Sequence, residues 1–265
     1  MSAAPKSRSG RFGYMRTNIF LVLISLLLTL LTWQAATGLG DFPPFILPSP
    51  MQVWLRFVDA LQDGSLLRNS AVTLFEVLSG LALGASLAAA LGYLLAKSLP
   101  LERLLSPYIV ASQSIPIVAI APLLVIWFGP GLLSNVLICA LIVFFPVLIN
   151  TVVGMRSVPE DLRDLMRSLQ ATRWQTFTRL ELPAALAVVL GGLRIGATLS
   201  VIGAVVGEFV GAKAGLGFLI NVGRGLYDTA LVFVAVFSLV ALALALYSIV
   251  ALLELRLLSW QQRPH

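Results

Sequence analysis

Long apolar runs with almost no charge recur along this chain, and they decide what it can fold into. Six of them occupy about 19–38, 72–97, 106–128, 132–153, 184–210 and 229–253. Roughly 20 apolar residues in a helix cross the hydrocarbon core of a bilayer. Lipid offers no hydrogen bonds, so each run must satisfy its own backbone, and a helix does so within one segment. The predicted fold class is all-α: a polytopic membrane protein with about six transmembrane helices. Composition agrees with this, since 58% of the 265 residues are hydrophobic and 11% are charged, against about 25% charged in a soluble domain.

The net charge of +6 does not point to nucleic acid once its distribution is traced. With six spans and both termini inside, Lys6, Arg8, Arg11, Arg16, Lys97, Arg103, Arg156, Arg163, Arg167, Arg173, Arg179, Arg256 and Arg263 are cytoplasmic. Arg56, Arg68, Lys213 and Arg224 fall outside, and Arg194 lies within a span. That asymmetry follows the positive-inside rule. Residues 1–17 read as a basic cytoplasmic tail, and 18–265 as one transmembrane domain. Trp33 is placed for the outer interface, and Trp260 for the inner one. Val53, Trp54, Phe57, Val58 and Leu61 recur at helical spacing and predict an amphipathic helix on the outer surface. Gly80, Gly84, Ala88 and Gly92 recur every four residues in the second run. Gly192, Gly196 and Ser200, then Gly203, Gly207 and Gly211, do the same in the fifth. Such seams let helices pack closely.

The most informative polar stretch is 157–183. Ser157 with Glu160 fits a capping box, with Pro159 in the first turn. Leu162, Leu165, Met166 and Leu169 then form one apolar stripe. Thr172 with Gln175 offers a second capping box, and Pro183 closes the segment. Two short amphipathic helices meeting near Gln170 are predicted, a shape suited to docking in a groove.

The stretch resembles the loop of membrane subunits of binding-protein-dependent ABC importers: Glu-Ala-Ala, three residues, Gly, nine residues, Ile-x-Leu-Pro. Asp164-Leu165-Met166 stands where Glu-Ala-Ala would, Gln170 where Gly would, and Leu180-x-Leu182-Pro183 at the end. The spacing is intact. The Ala pair is bulkier here, and Gln in place of the turn Gly either reshapes the corner or stays right-handed, because a left-handed non-Gly residue costs roughly 1–2 kcal/mol. Three further blocks, Ile46-Leu-Pro-Ser-Pro50, 113–123 with Trp127-Phe-Gly129, and Gly207-Glu-Phe209 with Gly215-Leu-Gly217, are similar to permeases of the nitrate, taurine and aliphatic-sulfonate branch. That branch also contains permeases for thiamine-precursor pyrimidines and riboflavin.

The resemblance implies a type I importer permease subunit in a bacterial inner membrane, multi-pass, with both termini cytoplasmic and 157–183 as its coupling loop. It implies as partners cytoplasmic ABC ATPase subunits, an extracytoplasmic solute-binding protein, a second copy of the chain and the surrounding lipid. Asp164, Leu165, Met166, Leu169, Gln170, Leu180, Leu182 and Pro183 would then contact the ATPase. The implied cargo is a small nitrate-, sulfonate- or taurine-like organic anion, with a thiamine-precursor pyrimidine or riboflavin as the alternative.

The residues themselves carry little chemistry. There is no G-x-x-x-x-G-K-[ST] phosphate loop, so ATP and Mg belong on the partner subunit, and no enzyme activity or cofactor is expected in this chain. The single His265 is C-terminal and the single Cys139 lies in an apolar run, which leaves no triad, metal set or disulfide. Few charges at membrane depth weigh against an ion-coupled transporter. Polar side chains in mid-membrane are the candidates for a path: Ser112, Gln113 and Ser114 in the third run, Thr198 and Ser200 in the fifth. Gln113 is the strongest, because a side-chain amide cannot satisfy itself locally; a helix–helix hydrogen bond is its competing role. Arg194, about 16 Å from Pro183 at 1.5 Å per residue, is expected to snorkel to the cytoplasmic interface.

Overall fold

The structure, a computed structural model, describes residues 9–40 and 42–258, and its regular structure there is entirely helical. Residues 1–8 of the expected tail, and Trp260, Arg263 and His265, lie outside the described residues. The helices are α1 (Ser9–Leu39), α2 (Pro50–Gln62), α3 (Ser65–Lys97), α4 (Leu99–Gln113), α5 (Ile117–Phe128) and α6 (Leu132–Arg156). They continue as α7 (Glu160–Ser168), α8 (Arg173–Thr176), α9 (Leu182–Gly211), α10 (Leu216–Gly225) and α11 (Thr229–Leu257). Helix α1 begins within the stretch expected as a tail.

Among the described residues, four helical stretches are long and apolar enough to cross a membrane: Ser65–Lys97, Leu132–Arg156, Arg173–Gly211 and Thr229–Leu257. The third run differs from the expected straight span. It is broken by 94° between α4 and α5. Pro116, at φ −64° and ψ 121°, has no N–H to give and excludes Ile115 from helical geometry. The first run is held by α1, whose described apolar portion is Leu23–Leu39. The molecule is a helical polytopic membrane protein.

Both small-residue seams face the same partner. Helix α6 lies between α3 and α9. A Cβ added at Gly92 would come within 2.8 Å of Thr151, at Gly203 within 2.9 Å of the Cys139 Cα, and at Gly207 within 2.6 Å of Asn135 Oδ1. Gly80 and Gly84 press against Cys139 and the Ala140 backbone in the same way. With no hydrophobic drive between helices in lipid, such close approach is what holds them together. Cys139 is free and buried at this junction.

At the expected outer surface α2 forms as predicted from its periodicity, opened by a capping box between Ser49 and Gln52 with bonds of 2.8 and 3.3 Å. Val53 and Ala60 are buried, and Trp54 stays exposed. Arg56 ties α2 to Asp228 at the start of α11, at 2.7 Å. Trp33 stacks on Phe233 with centroids 5.3 Å apart and donates to the Pro48 carbonyl at 3.1 Å.

Candidate functional site

The 157–183 stretch folds into a corner whose two sides differ chemically. Helix α7 presents Leu162, Leu165 and Leu169 outward at 42%, 53% and 68% exposure, and Trp174 of α8 adds a face 71% exposed. Apolar side chains of this size, clustered on a polar segment, mark an interaction surface. The other side is tied to the bundle. Arg163 donates to the Met155 carbonyl of α6 at 2.7 Å and lies 3.7 Å from Glu181. Glu181, fully buried, also pairs with Lys97 at the end of α3. Arg156 grips Glu102 of α4 and the Leu95 carbonyl of α3. A push on α7 therefore reaches α3, α4, α6 and α9 through ion pairs and backbone bonds.

Local geometry corrects three expectations in this corner. The Ser157–Glu160 capping box does not form: Ser157 ends α6 and bonds back to Gly154 at 2.8 Å, and Pro159 stands at the N-cap of α7 with no side-chain cap. Pro183 does not close the segment. Residues Phe177–Glu181 make a π-turn, in which Leu182 N–H reaches the Phe177 carbonyl, and the helix runs on into α9. The widened turn accommodates a proline that an α-turn would clash with. Gln170 takes the left-handed conformation, φ +51°. Ala171 N–H bonds to the Met166 carbonyl at 3.0 Å, which ends α7 as a glycine would. The second capping box, Thr172 with Gln175, forms in both directions, at 2.8 and 3.2 Å. Asp164 pairs with Arg167 on the exposed face at 2.7 Å. Met166 is half-buried, and Leu180 is half-buried near exposed Leu182 and half-buried Pro183.

The mid-membrane polar residues separate into two places. Ser112 and Gln113 line a cavity of about 250 Å³ at the α4–α5 bend, with Ile115, Ile117, Phe145, Pro146 and Ile149. Ser112 bonds back to the Tyr108 carbonyl, and Ser114 to that of Val110 at 3.3 Å. The exposed Gln113 amide has no protein partner among the described residues. Thr198 and Ser200 are not in this cavity, whose other wall comes from α6. Thr198 bonds back to Arg194 at 3.0 Å, and Ser200, fully buried, donates to the Val77 carbonyl of α3 at 3.0 Å. Ser200 thus ties α9 to α3, and Thr198 is satisfied within its own helix. Arg194 pairs with Glu254 of α11, its guanidinium 5.2 Å from the Tyr247 ring centroid.

A polar cluster that sequence reading missed sits where α10 meets the bundle. Glu76, Asn135 and Glu208 are each about 98–99% buried, at 2%, 1% and 1% exposure. Glu208 accepts from the Thr73 hydroxyl at 2.6 Å and from Gly217 N–H. Thr73 in turn accepts from Leu216 N–H at 2.8 Å, and Asn69 from Gly215 N–H at 2.7 Å. Asn135 donates to Glu76 at 2.8 Å. The expectation of an interior almost free of charge-bearing groups is thereby corrected. The sequence signal was present, since Glu76 interrupts an apolar run. Replacing Glu208 by Ala leaves the Gly217 N–H buried and unpaired, at about 1–3 kcal/mol, while the Thr73 hydroxyl keeps the Asn69 carbonyl at 3.2 Å. Amide exchange across 215–225 is expected to rise at least tenfold in that variant, and exchange equal to wild type would contradict an anchoring role.

Residues 80–259 match the family described as binding-protein-dependent transport system inner membrane component. The chain belongs to this family. It is an ABC importer permease subunit of the sulfonate and taurine branch, a transport component. The permease is 48% identical to the riboflavin transport system permease protein RibX of Chloroflexus aurantiacus, over 90% of this chain and 89% of that protein. It is 36% identical to the formylaminopyrimidine transport permease protein ThiX of Halalkalibacterium halodurans, over 89% of this chain and 94% of that one. A putative aliphatic sulfonates transport permease protein, SsuC of Bacillus subtilis, is 32% identical over 95% and 89%. Among solved structures, an inward-facing form of the MetNI methionine ABC transporter superposes at TM-score 0.65 and 20% identity, covering 74% of the permease and 97% of that chain. That likeness is one of fold.

Proposed function

We propose that this permease moves a small, uncharged nitrogen heterocycle inward, driven by ATP hydrolysis on a cytoplasmic ABC ATPase docked at the α7–α8 corner. The exposed apolar stripe Leu162, Leu165, Leu169 and Trp174, backed by the Arg163, Glu181 and Lys97 ion pairs, carries the docking reading. Asp164, Met166, Gln170, Leu180, Leu182 and Pro183 complete that surface. The Lys/Arg distribution supports a cytoplasmic corner and cytoplasmic termini. An extracytoplasmic binding protein delivers the cargo, and a second copy of the chain completes the path.

The cavity at the bend favours the heterocycle. Its polar groups are the neutral Ser112 and Gln113, Phe145 stands in the wall, and no cationic side chain lines it. An amide that donates and accepts suits the edge of a flavin or aminopyrimidine, and an aromatic wall suits its face. The likeness to riboflavin and formylaminopyrimidine permeases supports the same choice. A sulfonate or taurine cargo, the second reading, is supported by the SsuC likeness over nearly the whole chain. Receptor-dependent uptake of riboflavin and of taurine, measured in vesicles with the ATPase present, separates the two. Riboflavin uptake that taurine does not compete with is expected, and Gln113→Leu is expected to slow it about tenfold. Taurine uptake unaffected by riboflavin would overturn the heterocycle reading, and unchanged rates in Gln113→Leu would place Gln113 outside the path.

A further inference from the structure

A second, larger cavity of about 610 Å³ opens beneath the corner. Tyr93 and Lys97 at the end of α3, Arg163 and Arg167 of α7, Arg173 of α8 and the buried Glu181 line it. Four cationic side chains thus face one buried carboxylate. Lys97 and Arg163 are engaged by Glu181, and Arg167 by the exposed Asp164. Arg173 has no ion-pair partner among the described residues, and the buried Arg163 Nε–H makes no hydrogen bond. Glu181 Oε2 is likewise buried without a donor. One buried unmet donor and one buried unmet acceptor, beside the exposed and unpaired Arg173, call for a ligand that supplies both kinds of group.

Position narrows the chemistry. Lys97 ends one membrane span and Glu181 directly precedes Leu182, the first residue of α9, so the cavity straddles the cytoplasmic membrane boundary. Basic pockets between helices at that level take anionic headgroups, and the planar guanidinium fork matches phosphate oxygens. We propose that this cavity binds a phosphate group that also carries a hydroxyl donor. The phosphate oxygens accept from Arg173 and Arg163 Nε–H, and the hydroxyl donates to Glu181 Oε2. A phosphatidylglycerol headgroup offers both, as does hydrogen phosphate. The proposal rests on the cytoplasmic placement of the corner but not on ATPase docking. Its consequence is that a bound phosphate ties α7 and α8 to the end of α3, at the joint through which the corner moves the spans.

Native mass spectrometry of the full chain, released from detergent with phosphatidylglycerol or phosphatidylcholine, tests it. Wild type is expected to retain phosphatidylglycerol at least tenfold better than phosphatidylcholine. The exposed-site variant Arg173→Gln, and the double variant Arg167→Gln/Arg173→Gln, should lose that preference while melting at the wild-type temperature. Arg68→Gln, outside the cavity, should keep it. In a parallel arm, inorganic phosphate added to the chain in phosphatidylcholine nanodiscs distinguishes the free ion: a rise in melting temperature in wild type, absent in the double variant, assigns the site to soluble phosphate. Equal retention of both lipids together with no response to phosphate overturns the proposal. So does a lipid preference that survives the double variant. Should the double variant fail to fold, the wild-type lipid comparison and Arg173→Gln alone give the same decision.

Discussion

Leu165→Asp is expected to abolish ATP-driven uptake, by at least about 100-fold, while the chain still inserts in the membrane. Leu165 is 53% exposed at the centre of the α7 stripe. In a docking groove a lone carboxylate becomes a buried, unpaired charge, which costs about 3 kcal/mol or more. At 1.4 kcal/mol per tenfold, that is a loss of two decades or more in association. Copurification of the ATPase with the variant should fall in parallel. Asp164→Ala is the contrast: its pair with Arg167 is exposed and spans one helical turn, worth about 1 kcal/mol at most. Copurification of Leu165→Asp at wild-type yield would end the docking account.

The same substitution at two glycines should have opposite results. At Gly84 an added Cβ meets the Ala140 backbone, which cannot move aside as a flexible side chain would. Gly84→Ala must push α3 off α6, at the upper end of the roughly 1–3 kcal/mol that overpacking costs, and a branched residue costs more. At Gly191 an added Cβ meets nothing within 4 Å. Gly191→Ala is expected to be neutral or to stabilise by up to about 1 kcal/mol through helix propensity. Thermal unfolding of both variants in one detergent checks the pair. Equal melting temperatures would show that the α3–α6 seam is looser than the structure has it.

The seams were legible in the sequence because a four-residue repeat of small residues has one geometric meaning in a helix. The spans were legible because lipid leaves the backbone few alternatives. The break after Gln113 was not. Pro107, Pro122 and Pro146 have the same chemistry as Pro116 and stay inside helices, so composition cannot tell which proline bends the chain. What distinguishes Pro116 is its setting, where Ser112 and Ser114 have bonded back to the preceding turn and the polar Gln113 faces a cavity.

At the corner, spacing identified the apolar stripe and the Thr172 cap, both of which depend on neighbours in sequence. It could not identify Glu181, whose partners Lys97 and Arg163 come from distant segments. Glu208 entered the sequence reading only within the Gly207-Glu-Phe209 block, and its ties to Thr73 and Gly217 are likewise tertiary. Thr198 and Ser200 show the converse failure. Polarity in a span suggested a path, but a hydroxyl is satisfied by one carbonyl, its own helix's for Thr198 and a neighbour's for Ser200.

The claim on which the rest depends is that this permease imports by coupling to ATP hydrolysis on another subunit. Proteoliposomes containing the chain, the ATPase and the binding protein, with radiolabelled riboflavin outside and ATP–Mg supplied on the ATPase side, measure it directly. The account predicts uptake only when the ATPase, ATP and the binding protein are all present, with no effect of a proton or sodium gradient. Uptake by the chain alone, driven by an ion gradient in the absence of ATP, would contradict it.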